Sequence, residues 1–137
     1  MSQATSKTAA GNKRSVFIAD DDDTARGLLR NVIVSAGMEV VGEAADGKQA
    51  LAEVKRLRPD VVCLDIDMPQ MSGLDVLSRL RGINDAMIAL IITASPTAQN
   101  VREAIQVRAD GVIAKPFSQE KISSEINRAA ARKLLRR

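Results

Sequence analysis

The sequence predicts an α/β fold: a doubly wound, five-stranded parallel sheet with helices on both faces. Three observations lead there. Five short apolar runs alternate strictly with five segments of helical periodicity. Several of the runs are apolar without alternation, as strands covered on both faces must be. The 137 residues suffice for one compact domain with a real core and are too few for two ordinary ones.

Each element has its own signals. "VFIA" is the first strand, ending at Asp20, and "TARGLLRNVIVSAG" follows as a helix with Ala25, Leu28, Leu29, Val32 and Ile33 on one stripe and Gly37 as its stop. In the acidic run between them, Asp23 is placed to cap that helix and Asp22 to face solvent. "EVVGEA" is the second strand, and "DGKQALAEVKRLRP" a helix buried through Ala50, Leu51, Val54 and Leu57 and ended by Pro59. "DVVCLD" is the third strand; "SGLDVLSRLRG" gives a helix through Leu74, Leu77 and Leu80. "AMIALIITA" and "GVIA" are the fourth and fifth strands, separated by the helix "TAQNVREAIQVRADG". "SQEKISSEINRAAARKLLRR" closes the chain as a helix striped by Ile122, Ile126, Ala130 and Leu134.

Composition narrows the function classes. Apolar residues make up 45% and charged residues 27%, the profile of a soluble globular chain. No apolar run reaches a membrane span, and "MSQATSKTAAGNK" lacks the apolar core of a signal peptide, so the expected location is cytoplasmic. The chain has no histidine and one cysteine, Cys63, which excludes histidine-based catalysis, the usual zinc spacings and an internal disulfide. Cys63 lies inside an apolar run and reads as a small buried hydrophobe. The net charge of +3 divides along the chain: residues 15–127 hold 12 basic and 17 acidic side chains, while residues 1–14 and 128–137 hold only basic ones. Residues 1–14 read as a flexible basic leader, and residues 15–137 as the folded domain with a basic end to its last helix. The isoelectric point near 9.4 thus describes tails, and two phenylalanines offer no stacking platform, which argues against direct nucleic-acid binding.

The ligand site of an open parallel sheet lies beyond the carboxyl ends of its strands, where strand order reverses. Strand one ends in Asp20 and Asp21, strand three in Asp65, strand four in Thr93 and strand five in Lys115 before Pro116. If strands one and three are neighbours, three carboxylates meet in one crevice beside a hydroxyl and an ammonium. Clustered oxygen ligands favour Mg²⁺, with Mn²⁺ an alternative.

On "ADDDDTAR", "CLDIDMPQMSGLD", "IITAS" and "IAKPF", in that order and at those strand ends, residues 15–135 resemble the response-regulator receiver domain, in the stand-alone form of chemotaxis and phosphorelay receivers. The resemblance implies a flavodoxin-like sheet of order 2-1-3-4-5. It makes Asp65 the phosphoacceptor and assigns Mg²⁺ to Asp65, Asp21 directly, Asp20 largely through water, and the backbone carbonyl of Asp67. Thr93 would place its hydroxyl on a phosphoryl oxygen, and Lys115 would pair with the phosphoryl group and, before transfer, with Asp65. Arg26, Pro69 and Gly73 match positions of structural role. The implied donor is a sensor histidine kinase or histidine phosphotransfer protein. Self-phosphorylation and autodephosphorylation are expected, without turnover of an independent substrate. Output would pass to another protein at the face of helix four, strand five and helix five.

Two positions depart from the family. Val112 stands where relatives carry a large aromatic, often tyrosine, whose rotamer reports phosphorylation, so the response is expected to run through Thr93 and the "TASPTAQ" loop. Asp67 stands where chemotaxis receivers often have asparagine. Two other readings remain. "LDIDMP" also fits phosphatases resembling haloacid dehalogenases, with Asp65 as nucleophile and Asp67 as acid–base, although that motif normally follows the first strand. The basic carboxyl-terminal helix, with Lys133, Arg136 and Arg137, also fits an adaptor that binds nucleic acid or an acidic protein.

Overall fold

The computed structural model describes residues 13–135, so residues 1–12 of the expected leader, and Arg136 and Arg137, lie outside the described residues. In chain order the elements are β1 (Ser15–Ala19), α1 (Asp23–Ser35), β2 (Glu39–Ala44), α2 (Gly47–Leu57), β3 (Val61–Leu64), α3 (Gly73–Arg81), β4 (Ile88–Thr93), α4 (Ala98–Gln106), β5 (Gly111–Ala114) and α5 (Gln119–Leu135). The strands form one parallel sheet of order β2-β1-β3-β4-β5, as expected. The reversal of order falls between β1 and β3, which pair directly in the register Ala19–Leu64.

The sheet divides the core in two, because alternate residues of a strand face opposite sides. Phe17, Val62, Leu64, Ala89 and Ile91 pack with Ala50, Val54, Leu77, Leu80 and Ala104 of α2, α3 and α4. Val16, Ile18, Cys63, Leu90 and Ile92 pack with Leu29, Ile33, Ile122, Ile126 and Ala129 of α1 and α5. Every residue of β3 and β4 is buried, which is why those runs show no polar alternation. Phe17 lies under β2 at Gly42, where a Cβ would stand 2.8 Å from the ring; the β1–β2 register slips beside it, between Val16 and Phe17. No helix among the described residues is long and apolar enough to cross a membrane.

Three details correct the sequence reading. Asp22, with extended backbone, caps α1 by accepting the Thr24 N–H, while Asp23 is already helical and pairs with Arg26. An N-cap residue must lie outside the helix to turn its side chain back onto the free N–H groups, and Asp22 alone meets that condition. Leu28 and Leu134 are exposed: residues at intervals of four, Ala25, Leu29 and Ile33, are enough to cover the sheet, and the end of α5 extends beyond it. α2 ends ahead of Pro59 as expected, closing on Arg58 in the left-handed region (φ 50°). α4 stops at Gln106, not near Gly111, because Arg108 turns left-handed (φ 63°), the Ala109 N–H bonds back to Ala104 O, and the Asp110 N–H joins Ala89 O.

Candidate functional site

The backbones of Asp20, Asp65 and Lys115 each continue a strand ladder one step past the strand end. The Asp20 N–H donates to Ala44 O at 3.0 Å, the Asp65 N–H to Ala19 O at 2.9 Å and the Lys115 N–H to Thr93 O at 2.8 Å. Parallel pairing therefore delivers these side chains, far apart in sequence, to the same edge of the sheet. The Lys115–Pro116 peptide is cis.

Carboxylate oxygens of Asp20, Asp21 and Asp65 all lie within 4.8 Å of one another. Asp20 and Asp65 are buried; Asp21 is exposed and opens the group to solvent. The Lys115 ammonium reaches in from β5, 2.7 Å from Asp20 Oδ2 and 3.5 Å from Asp65 Oδ2. The expected contact with Asp65 is present, but Asp20 is the nearer partner. Burial alone would lower the Lys115 pKa, and the Asp20 hydrogen bond with the charges of Asp65 and Asp20 reverses that, holding it above the ordinary value. Asp65 moves the other way from most paired carboxylates. Burial first, and the Asp20 charge second, push it up to about 6 against the opposing pull of Lys115 and the Asp67 N–H.

The floor of the site is set by close approach. A Cβ on Gly73 would stand 2.0 Å from Asp65 O, and one on Gly47 would stand 1.9 Å from Met71 O. Bare backbone at both positions lets the loop after Asp65 fold back, with the Gly73 N–H on Ile66 O and the Gly47 N–H on Pro69 O. Ser72 and Asp46 cap α3 and α2 beside that loop.

Thr93 is fully buried at the end of β4, and its Oγ1 accepts the Ser95 N–H at 2.9 Å. The segment after it, residues 94–99, is exposed. Val112 packs, half-buried, against the core on the α4 side. The Asp67 side chain is exposed and stands outside the three-carboxylate group, so the phosphatase-like pairing of Asp65 with Asp67 gains no support. Cys63 is buried, and burial pushes its thiol up to about 12, as befits a packing residue.

Two features were missed in the sequence. Arg81, which the sequence did not single out, is buried and donates to the carbonyls of Asp85, Met87 and Arg108 and to Asp110 Oδ2. Arg132 and Lys133 also approach Asp110, at 3.7 and 3.3 Å, so part of the basic end of α5 is engaged within the domain. Arg26 reaches the site as well, donating to Asp20 O at 2.7 Å.

Comparison with known proteins agrees with this geometry. The chemotaxis protein CheY of Thermotoga maritima is 35% identical over 115 residues, covering 84% of this chain and 96% of that protein. CheY of Bacillus subtilis is 36% identical over 114 residues, covering 82% and 94%. Among solved structures, the CheX–CheY–BeF3–Mg²⁺ complex from Borrelia burgdorferi superposes with a TM-score of 0.82 at 28% identity, over 87% of this chain and 90% of that one. The receiver domain of the NarL regulator from Mycobacterium tuberculosis gives 0.80 at 31% identity, over 87% and 97%. The response regulator receiver domain family matches residues 16–127, and by sequence, topology and strand-end chemistry the chain belongs to it.

Proposed function

We propose that this chain is a phosphoryl-accepting signalling switch that takes its phosphoryl group on Asp65 from a histidine kinase or histidine phosphotransfer protein and signals through protein contacts. The observation that carries this is the gathering of Asp20, Asp21 and Asp65 within 4.8 Å, with Lys115 on two of them. The donor set is entirely hard oxygen, with one exposed member, and so fits Mg²⁺ or Mn²⁺ that retains waters and admits phosphate oxygens. Asp20, Asp21 and Asp65, with the Asp67 carbonyl, would hold the cation, whose charge would offset that of the transferring oxygens.

The chain's own residues supply the remainder. Asp65 is buried at the strand end with its carboxylate beside Lys115, so its oxygen is presented at the site as the nucleophile. An Asp65 oxygen attacks phosphorus, the bond from phosphorus to the donor nitrogen breaks, and an acyl phosphate forms on Asp65. Lys115 turns from the carboxylates to a phosphoryl oxygen. The Thr93 hydroxyl, which now accepts from Ser95, donates to another. Phosphotransfer here needs charge neutralisation and positioning and little else.

Acetyl phosphate with Mg²⁺, followed by peptide mass spectrometry, tests the assignment. A hydroxylamine-sensitive phosphoryl adduct on Asp65 is expected, absent in Asp65→Asn and suppressed by chelator. An adduct of equal yield in Asp65→Asn would overturn it.

A further inference from the structure

Asp21 is the exposed member of the carboxylate group, and among the described residues no protein donor bonds its side chain. Its aim depends on its backbone, and both flanking peptide groups are held. The carbonyl of Asp20, in the peptide before it, accepts from Arg26 Nη1 at 2.7 Å. The N–H of Asp22, in the peptide after it, donates to Asp20 Oδ1 at 2.9 Å. Arg26 closes the turn a second time by donating its own N–H to Asp22 O at 2.9 Å. The guanidinium is itself anchored: Nη2 on Asp23 Oδ1 at 2.6 Å and Nε 3.3 Å from Glu43 Oε1 on β2. Glu43 is fixed from its other side by Arg30, which donates to it through Nε and Nη2. A planar fork with five donors spans three acceptors from one position; an ammonium does not.

We propose that Arg26, anchored by Glu43, is a positioning residue for the cation site: its guanidinium fixes the peptide before Asp21, while Asp20 Oδ1 holds the peptide after it, and so it helps to aim that carboxylate before a cation arrives. The proposal rests on the divalent-cation reading given above. Its physical content is that the backbone around Asp21 is already ordered in the free protein, so less conformational freedom is lost on binding.

Arg26→Lys and Glu43→Asp separate geometry from charge, because each keeps the formal charge and shortens or simplifies the contact. Mg²⁺ affinity is measured by titration calorimetry at fixed ionic strength and at a temperature where each variant is fully folded, with the amide shifts of residues 20–23 followed by NMR. Positioning predicts about 10- to 100-fold weaker Mg²⁺ binding in each variant, the range for supporting residues of metal sites, and displaced Asp21 and Asp22 amides before metal is added. The double variant should lose little more than the worse single one, since both act through one fork. Arg56→Lys, in the exposed pair with Glu53, should leave affinity unchanged. Wild-type affinity in both Arg26→Lys and Glu43→Asp overturns the proposal, and additive losses overturn the anchoring by Glu43. Failure of the wild-type protein to bind Mg²⁺ at all removes the cation reading instead, so the two failures are distinguishable. If Arg26→Lys does not fold, Glu43→Asp, remote from the site itself, decides.

Discussion

Asp65 is a carboxylate that the fold holds at a disadvantage. Its pKa in the folded chain, about 6, lies above the ordinary value, so the folded state binds its proton more tightly than the unfolded chain does. Its contribution to stability is therefore complete below about pH 4 and lost as pH rises through 6, opposite to a carboxylate whose pairing lowers its pKa. In metal-free buffer Asp65→Asn should raise stability at pH 7.5 by roughly 1–3 kcal/mol, the scale of a shift of one or two pKa units. The gain should shrink towards zero near pH 4. Urea titrations of both proteins at the two pH values check this; an Asp65→Asn protein less stable than wild type at pH 7.5 contradicts it. The identity of Asp65 as a strand-end carboxylate was legible in "CLDIDMP" because strand ends are visible as the close of an apolar run. Its nearer neighbour across Lys115 was not, since the choice between Asp20 and Asp65 is settled by less than an ångström of side-chain placement.

Elements were readable wherever period and punctuation coincide. Gly37 ends α1 at φ 85°, as expected of a glycine after the last periodic residue. The cap of α1 was misread by one position, because "DDDD" offers four equivalent side chains and only backbone conformation distinguishes them. That distinction has a measurable consequence. Asp22→Ala should cost about 1 kcal/mol of stability, as loss of an N-cap does, while Asp21→Ala should leave stability nearly unchanged and weaken Mg²⁺ binding at least tenfold, as loss of a ligand would. Thermal melts and calorimetry on the two variants check it, and equal Mg²⁺ affinity in both contradicts the placement. Arg81 was hidden for another reason: nothing local distinguishes an arginine in a last helical turn from one drawn under the sheet by three carbonyls and Asp110. Arg81→Leu should destabilise by about 3–5 kcal/mol, because it leaves Asp110 without its buried partner. Adding Asp110→Asn should recover part of the loss. Labelling of Asp65 should survive in the folded fraction, since the Arg81 network lies at the opposite ends of the strands.

At the scale of the whole molecule the question is how the site reaches other surfaces. The topology was legible in advance because alternating strands and helices leave few parallel arrangements, and right-handed crossovers fewer still. The path of the response was less so. Val112 is a half-buried packing residue with no aromatic ring to swing outward, whereas Thr93 bonds the first turn of the exposed 94–99 segment through Ser95. A covalent change shifts an equilibrium only by what it contacts differently in two states, and the Thr93 hydroxyl is such a contact. Thr93→Ala should keep acetyl phosphate labelling of Asp65 and lose most of the beryllofluoride-induced amide shifts across residues 93–107. Identical shifts in wild type and Thr93→Ala would place the route elsewhere.

The contact between Lys115 and Asp20 joins residues 95 apart in the chain. A growing polypeptide therefore holds Asp20, Asp21 and Asp65 long before it holds the ammonium that offsets them. Without β5 and without a bound cation, pairing of β1 with β3 brings carboxylates together with no ammonium beside them, which disfavours that edge. In the folded chain that edge is therefore balanced only once the last strand of the sheet is in place, so the chemistry of the site and the completeness of the fold depend on the same contact.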